Sequence, residues 1–246
     1  MSKINAVILA GDSKSFMEIY GKWMVEYVVE ALRSSPYVGK ISIVGEVEKL
    51  EERLGEQIDY YVEKRGDIFD NLEAGLESLG ETDSVLVATS DIPMIREEII
   101  TDFIKRCHDI KADLCYPIVE KGLNDDKYPG FHRTYVRMKE GIFTGGNLIY
   151  INPKIIKNCT DFARKVIEYR KKPWEIGRLL GFRFLLMLTM GTLSISRVEE
   201  RVKQLLNIRA TAIISPFPEL ANDVDKPSDL EKVYEYLLDK NAGKVV

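Results

Sequence analysis

Histidine is nearly missing from this 246-residue chain: His108 and His132 are the only two, which excludes zinc chemistry built on histidine clusters. Cysteine is scarce as well. Cys107, Cys115 and Cys159 stand apart without metal-type spacing, and an odd count makes a poor disulfide framework; all three read as structural. Basic charge is not in excess, since 35 Lys and Arg against 39 Asp and Glu leave a net charge of −4. That balance argues against nucleic acid as a partner and against a chain spread over an anionic membrane, local patches aside. The nucleotide-binding glycine patterns are absent too. Gly11 and the pair Gly21-Lys22 are separated by nine residues with no Ser or Thr after Lys22, so there is no P-loop, and no G-x-G-x-x-G occurs. Met1-Ser2-Lys3-Ile4 leads directly into an apolar run without a charged leader or cleavage site, so a cytoplasmic location is expected. The longest apolar run, Leu179 to Leu193, falls short of the ~20 residues of a membrane span and contains Arg183. It reads as a buried or homodimer-forming helical insertion, with an acyl- or isoprenoid-binding pocket as the alternative.

What is present begins with Ala6 to Ala10, a continuous apolar run of the kind buried on both faces of a parallel sheet. It breaks at Gly11, where the missing Cβ lets backbone N–H groups approach an anion, and Lys14 follows as a point charge suited to phosphate. Trp23 to Leu32 has helical spacing, Lys40 to Val44 reads as a strand, Glu46 to Leu54 as a helix and Ile58 to Val62 as a strand. Ile68 to Leu79 is helical, with Asn71 in its first turn as either a capping residue or part of a base pocket. Strand Ser84 to Thr89, helix Ile95 to Cys107 and strand Ala112 to Ile118 continue the rhythm. Such alternation gives a mostly parallel sheet with helices on both faces, ligands sitting beyond the carboxyl ends of the strands. With 45% hydrophobic residues, residues 1–246 are expected to form one domain.

Asp91, in Ser90-Asp91-Ile92-Pro93, is delivered to the same edge as Gly11 and can hold a hard cation such as Mg²⁺. Residues 119–147 concentrate basic and aromatic side chains and end in Gly145-Gly146-Asn147. This segment reads either as an acceptor site for an anionic ligand or as a solvated hairpin. Residues 153–206 are mostly helical and apolar. Near the C-terminal end, Pro227 and the pair Ser228 and Glu231 fit a helix start with a capping box. Asp223 and Asp225, just upstream, could complete a metal site with Asp91.

In that order, Leu9-Ala10-Gly11 with Lys14, Asp91-Ile92-Pro93, Gly146-Asn147 and Asp223-Val224-Asp225-Lys226-Pro227-Ser228-Asp229-Leu230 resemble the NTP transferase family. That family includes molybdenum-cofactor guanylyltransferases and the sugar-phosphate and methylerythritol-phosphate cytidylyltransferases. The resemblance implies a GT-A-like, Rossmann-like three-layer α/β sandwich and a Mg²⁺-dependent transfer of NMP from an NTP to a phosphorylated small-molecule acceptor, releasing pyrophosphate. It implies Leu9, Ala10, Gly11, Ser13, Lys14 and Asn71 at the nucleotide, with Lys22 as a further phosphate charge. Asp91 and Asp225 would bind metal with Asp223 as substitute, making Lys14, Asp91 and Asp225 catalytic. Lys127, Arg133, Gly146 and Asn147 would face the acceptor. The sequence departs from the family in one place: Asp12-Ser13 stands where a longer glycine-rich loop is usual, setting a negative charge beside the phosphate site. Two other classes share these features, a GT-A glycosyltransferase, which the missing second Asp of a D-x-D pair disfavours, and a non-catalytic nucleotide-binding scaffold.

Overall fold

The computed structural model describes residues 2–169 and 172–242. In chain order its strands are β1 (Ile4–Ala10), β2 (Glu18–Ile19), β3 (Lys22–Trp23), β4 (Val38–Gly45), β5 (Tyr60–Glu63), β6 (Val85–Thr89), β7 (Leu114–Glu120), β8 (Val136–Arg137), β9 (Ile142–Gly145), β10 (Leu148–Ile151) and β11 (Ala210–Ile214). Its helices are α1 (Met24–Ser34), α2 (Val47–Leu54), α3 (Ile68–Leu79), α4 (Glu97–Ile110), α5 (Lys121–Lys127), α6 (Ile156–Tyr169), α7 (Pro173–Leu180), α8 (Phe182–Thr189), α9 (Ile195–Leu206) and α10 (Pro227–Ala242). Strand β1 is apolar from Ala6 to Ala10 because both its faces are covered there. Ile4, Ala6, Ile8 and Ala10 pack in one buried cluster with Val25, Val28 and Leu32 of α1 and Ile99 and Phe103 of α4. Val7 points the other way, into a cluster with Leu76 and Leu79 of α3 and Ile156 of α6. Helix, sheet and helix thus form three layers.

The sheet order is β5-β4-β1-β6-β10-β7-β9-β8, with β11 also on β7. Strands β5, β4, β1 and β6 run parallel, and β10 is antiparallel to both β6 and β7. Strand β11 occupies one edge of β7 along its length, so β9 and β10 share the other edge end to end. Cys115 faces Tyr150 while Ile118 faces Gly145, so three steps along β7 meet five along its partner. The two extra residues, Gly146 and Asn147, form a bulge. It lies at the same edge as the carboxyl ends of β1 and β6, since β10 runs the opposite way.

Helix α3 approaches the sheet closely at Gly75, where an added Cβ would lie 2.6 Å from Val7 Cγ1 and 3.0 Å from Val44 Cγ2. Gly75→Leu is therefore expected to overpack this interface and cost about 3 kcal/mol. A urea midpoint lowered at unchanged slope would show it.

Several local expectations are corrected. Helix α3 is capped by Asp67, whose carboxylate accepts the Phe69 and Asp70 N–H groups; Asn71 is left for another contact. At α10 the carboxylate of Asp229, not the pair Ser228 and Glu231, accepts the free N–H groups of Asp225 and Lys226. Between residues 119 and 147 the chain forms α5 and the β8–β9 hairpin. The apolar run 179–193 is helical as far as Thr189, and within it the expected burial is found at Leu193 but not along α8. Gly181, at φ 107°, divides it into α7 and α8, and α8 has no buried residue.

Candidate functional site

Loops leaving β1, β6 and β11 meet the β9–β10 bulge at one edge of the sheet. After β1, residues Ser13–Phe16 make a 3₁₀ turn capped by Asp12, whose Oδ1 accepts the Lys14 N–H at 3.1 Å and the Ser13 hydroxyl at 3.2 Å. The acidic side chain is thus turned onto its own loop. Ser15 and Ser90, both buried, are hydrogen-bonded at 2.7 Å and fasten this turn to the loop after β6. Gly11 is needed for close approach: a Cβ there would sit 3.3 Å from Asn71 Nδ2. Asn71 Oδ1 accepts the Arg65 N–H at 2.6 Å, so Asn71 ties the loop after β5 beside Gly11.

Asp91, Asp223 and Asp225 each offer a carboxylate oxygen, and the three lie within 4.8 Å of one another. The Val224 N–H donates to the Asp91 carbonyl at 2.9 Å, locking the two acid-bearing loops together. Each acid titrates differently. Burial raises Asp91 above the usual carboxylate range, against the lowering effect of the Thr89 hydroxyl, which donates to its Oδ1 at 2.6 Å. Burial likewise pushes Asp223 up to about 6, reinforced by the neighbouring Asp91 and Asp225 charges and opposed by Arg133. Asp225 is held low by Lys14, whose Nζ donates to Oδ1 at 2.6 Å, and the same bond raises Lys14. This all-oxygen donor set, in which burial makes the Asp91 and Asp223 carboxylates costly to ionise, suits a hard divalent cation.

Beside the acids lies a cavity of about 220 Å³ lined by residues that include Tyr116, Arg133, Gly146, Asn147, Asp223 and Asp225. Arg133 Nη1 stands 3.3 Å from Asp223 Oδ1, and Nε donates to Asn222 Oδ1 at 3.1 Å. Asn147 reaches Asp223 Oδ1 at 3.4 Å. The bulge aims this amide, and Gly145 leaves room for Tyr116, whose Oη would lie 2.1 Å from a Cβ there.

Two expected phosphate or acceptor charges are directed elsewhere. Lys127 Nζ donates to Glu219 Oε1 at 2.8 Å, and this fully buried carboxylate also pairs with Arg96 at 3.2 Å. Burial pushes Glu219 up, but these two cations hold it below the ordinary glutamate value. Lys22 pairs with Glu30 at 2.5 Å. Tyr116, His132, Thr134 and Thr144 line the cavity without having been singled out by the sequence. Only the β-strand alternation of Tyr116 against its buried neighbours Cys115 and Pro117 offered a signal. Larger grooves exist, one of about 860 Å³ lined by α3 residues and Pro153 and one of about 510 Å³ along α8 and α9, but neither contains this acid cluster.

A family model described as the MobA-like NTP transferase domain matches residues 6–166. Among solved structures, a hypothetical transferase from Thermus thermophilus is 35% identical, with 93% of this chain and 99% of that chain covered at a TM-score of 0.83. A CMP:2-keto-3-deoxy-manno-octonic acid synthetase complexed with CTP superposes at a TM-score of 0.64 with 14% identity, covering 98% and 100% of the two chains. A 4-diphosphocytidyl-2C-methyl-D-erythritol synthase from Anaerococcus prevotii does so at 0.64 with 14% identity over 96% and 99%. These last two share the fold. No curated protein matches the sequence.

Proposed function

The chain belongs to the MobA-like NTP transferase family, and from that premise we propose that it transfers an NMP from an NTP to a phosphorylated small-molecule acceptor, releasing pyrophosphate with the help of Mg²⁺. The observation that carries this reading is the convergence of Asp91, Asp223 and Asp225 within 4.8 Å, with Lys14 bonded to Asp225 beside the Gly11 loop. A bound divalent cation would supply positive charge against the phosphate oxygens at these acids.

The remaining work falls to the chain's own groups. Lys14 adds a mobile point charge for the phosphates of the NTP. Gly11 allows the β1 loop to lie close to them, flanked by Leu9, Ala10 and Ser13, and Asn71 stands where a base or ribose would pass. Arg133 holds Asp223 and leaves the cavity bordered by Gly146 and Asn147 for the acceptor. In-line attack of an acceptor phosphate on the α-phosphorus needs no covalent enzyme intermediate, so positioning and charge carry the rate.

The test combines pyrophosphate release with thermal melts of the protein against ATP, CTP, GTP and UTP. One NTP should raise the melting temperature by about 5 °C or more at saturating Mg²⁺ and release pyrophosphate once a phosphorylated acceptor is supplied. Stabilisation by sugar nucleotides and by none of the triphosphates would overturn the reading. The pH dependence has a defined sign. Folding raises Asp223 from 3.8 to about 6, so the folded chain holds a proton there that the unfolded chain releases. Asp223 thus contributes stability in acid that is withdrawn as pH rises through about 6. A cation competes with that proton, so the Mg²⁺-induced shift should be clear at roughly pH 7.5 and nearly absent at roughly pH 5.

A further inference from the structure

The chain's net charge of −4 conceals an uneven distribution. Residues 153–206 contain 12 Lys and Arg against five Asp and Glu, leaving 23 basic and 34 acidic residues for the rest. The same segment carries the exposed apolar side chains of the insertion. Leu186 on α8 and Met190, four residues on at the C-terminal cap of that helix, are 51% and 65% exposed. Arg183 lies exposed beside them and, among the described residues, has no acidic partner.

Several basic residues of the segment are already paired, Arg164 with Asp67 and Asp70 and Lys154 with Asp83. The groove along α8, however, is lined by Arg183, Arg197 and Arg201 against one acid, Glu200. Exposed apolar side chains beside such a groove suit a partner that offers hydrocarbon and negative charge together. A second copy meets the first demand only. A two-fold contact through α8 would set this basic segment against itself, adding like-charge repulsion to the contact. An anionic lipid surface meets both demands, with apolar side chains entering the headgroup boundary and arginines meeting the phosphates. Among the described residues no helix is long and apolar enough to cross a membrane, so the contact is peripheral.

We propose that α8 and the basic residues around it dock this protein on the surface of an anionic lipid bilayer. The docking face is tied to the cavity through the β8–β9 hairpin. The Lys139 N–H donates to the Leu193 carbonyl at 2.8 Å, and Glu140 accepts the Ile195 N–H at 3.1 Å in the first turn of α9. The other end of that hairpin reaches the cavity at Gly145. The proposal does not rest on the nucleotidyl-transfer reading.

Co-sedimentation of the full chain with phosphatidylcholine vesicles, with and without about 30% phosphatidylglycerol, tests it. Binding is expected only to the anionic vesicles and should be lost at about 0.5 M NaCl. Arg183→Glu should weaken the partition roughly 25-fold, about fivefold per unit of charge near the surface. Leu186→Glu should abolish it, and both variants should melt as the parent does, because both positions are exposed. Equal partition to the two vesicle types, or none to either, would overturn the proposal. So would a dimer in sedimentation velocity that Leu186→Glu dissociates, which would assign the face to a second copy.

Discussion

Asp91→Asn is expected to lower turnover about a thousandfold while the protein keeps its fold. A charge-stabilising group facing the transferred phosphate is worth several kcal/mol in the transition state. Asparagine keeps an acceptor for the Thr89 hydroxyl, which donates to Asp91 at 2.6 Å, so the loop retains its anchor. Stability should move the other way. Burial penalises the ionised Asp91 carboxylate, and a neutral amide relieves that penalty along with repulsion from Asp225. The metal-free variant should therefore melt no lower than the parent, with pyrophosphate release almost gone. Parent-like turnover would remove Asp91 from the proposed metal site, and a collapsed melt would recast it as a structural residue.

Lys14→Met separates two roles of one ammonium group. The side chain stays long and unbranched but loses its charge, so NTP affinity should fall about 30-fold, in line with a charged hydrogen bond worth ~2 kcal/mol. Divalent cation binding without nucleotide should tighten, because Lys14 Nζ sits 2.6 Å from Asp225 Oδ1 and competes for that carboxylate. Titration calorimetry with NTP and with Mg²⁺ alone reads both effects. Unchanged NTP affinity would place Lys14 outside the nucleotide site, and unchanged Mg²⁺ affinity would deny the competition.

The sequence exposed local patterns and concealed those set by long-range pairing. The apolar run before Gly11 is legible because a doubly covered strand leaves no polar face, and this fixes the alternation and the edge at which loops gather. Asp91, Asp223 and Asp225 could be singled out because each sits just after or just before a recognisable element. The aim of Asn147 could not be read, because it depends on a two-residue bulge visible only once β9 and β10 share one edge of β7. Lys127 misled for a related reason. Its charge is taken by Glu219, which looks like an ordinary loop acid in sequence and is fully buried in the fold.

One consequence concerns the order in which the protein is made. Asp91 leaves the ribosome well over a hundred residues before Asp223 and Asp225, a delay on the order of ten seconds at typical elongation rates. Strands β5, β4, β1 and β6 can pair by then, presenting the Gly11 loop with a single carboxylate. The Val224 N–H that locks the two acid loops comes from the late segment, so the three-acid cluster closes only near the end of translation. A nascent or prematurely terminated chain should thus hold a folded half-sheet that engages nucleotide weakly and turns none over, which keeps unfinished products from consuming triphosphate.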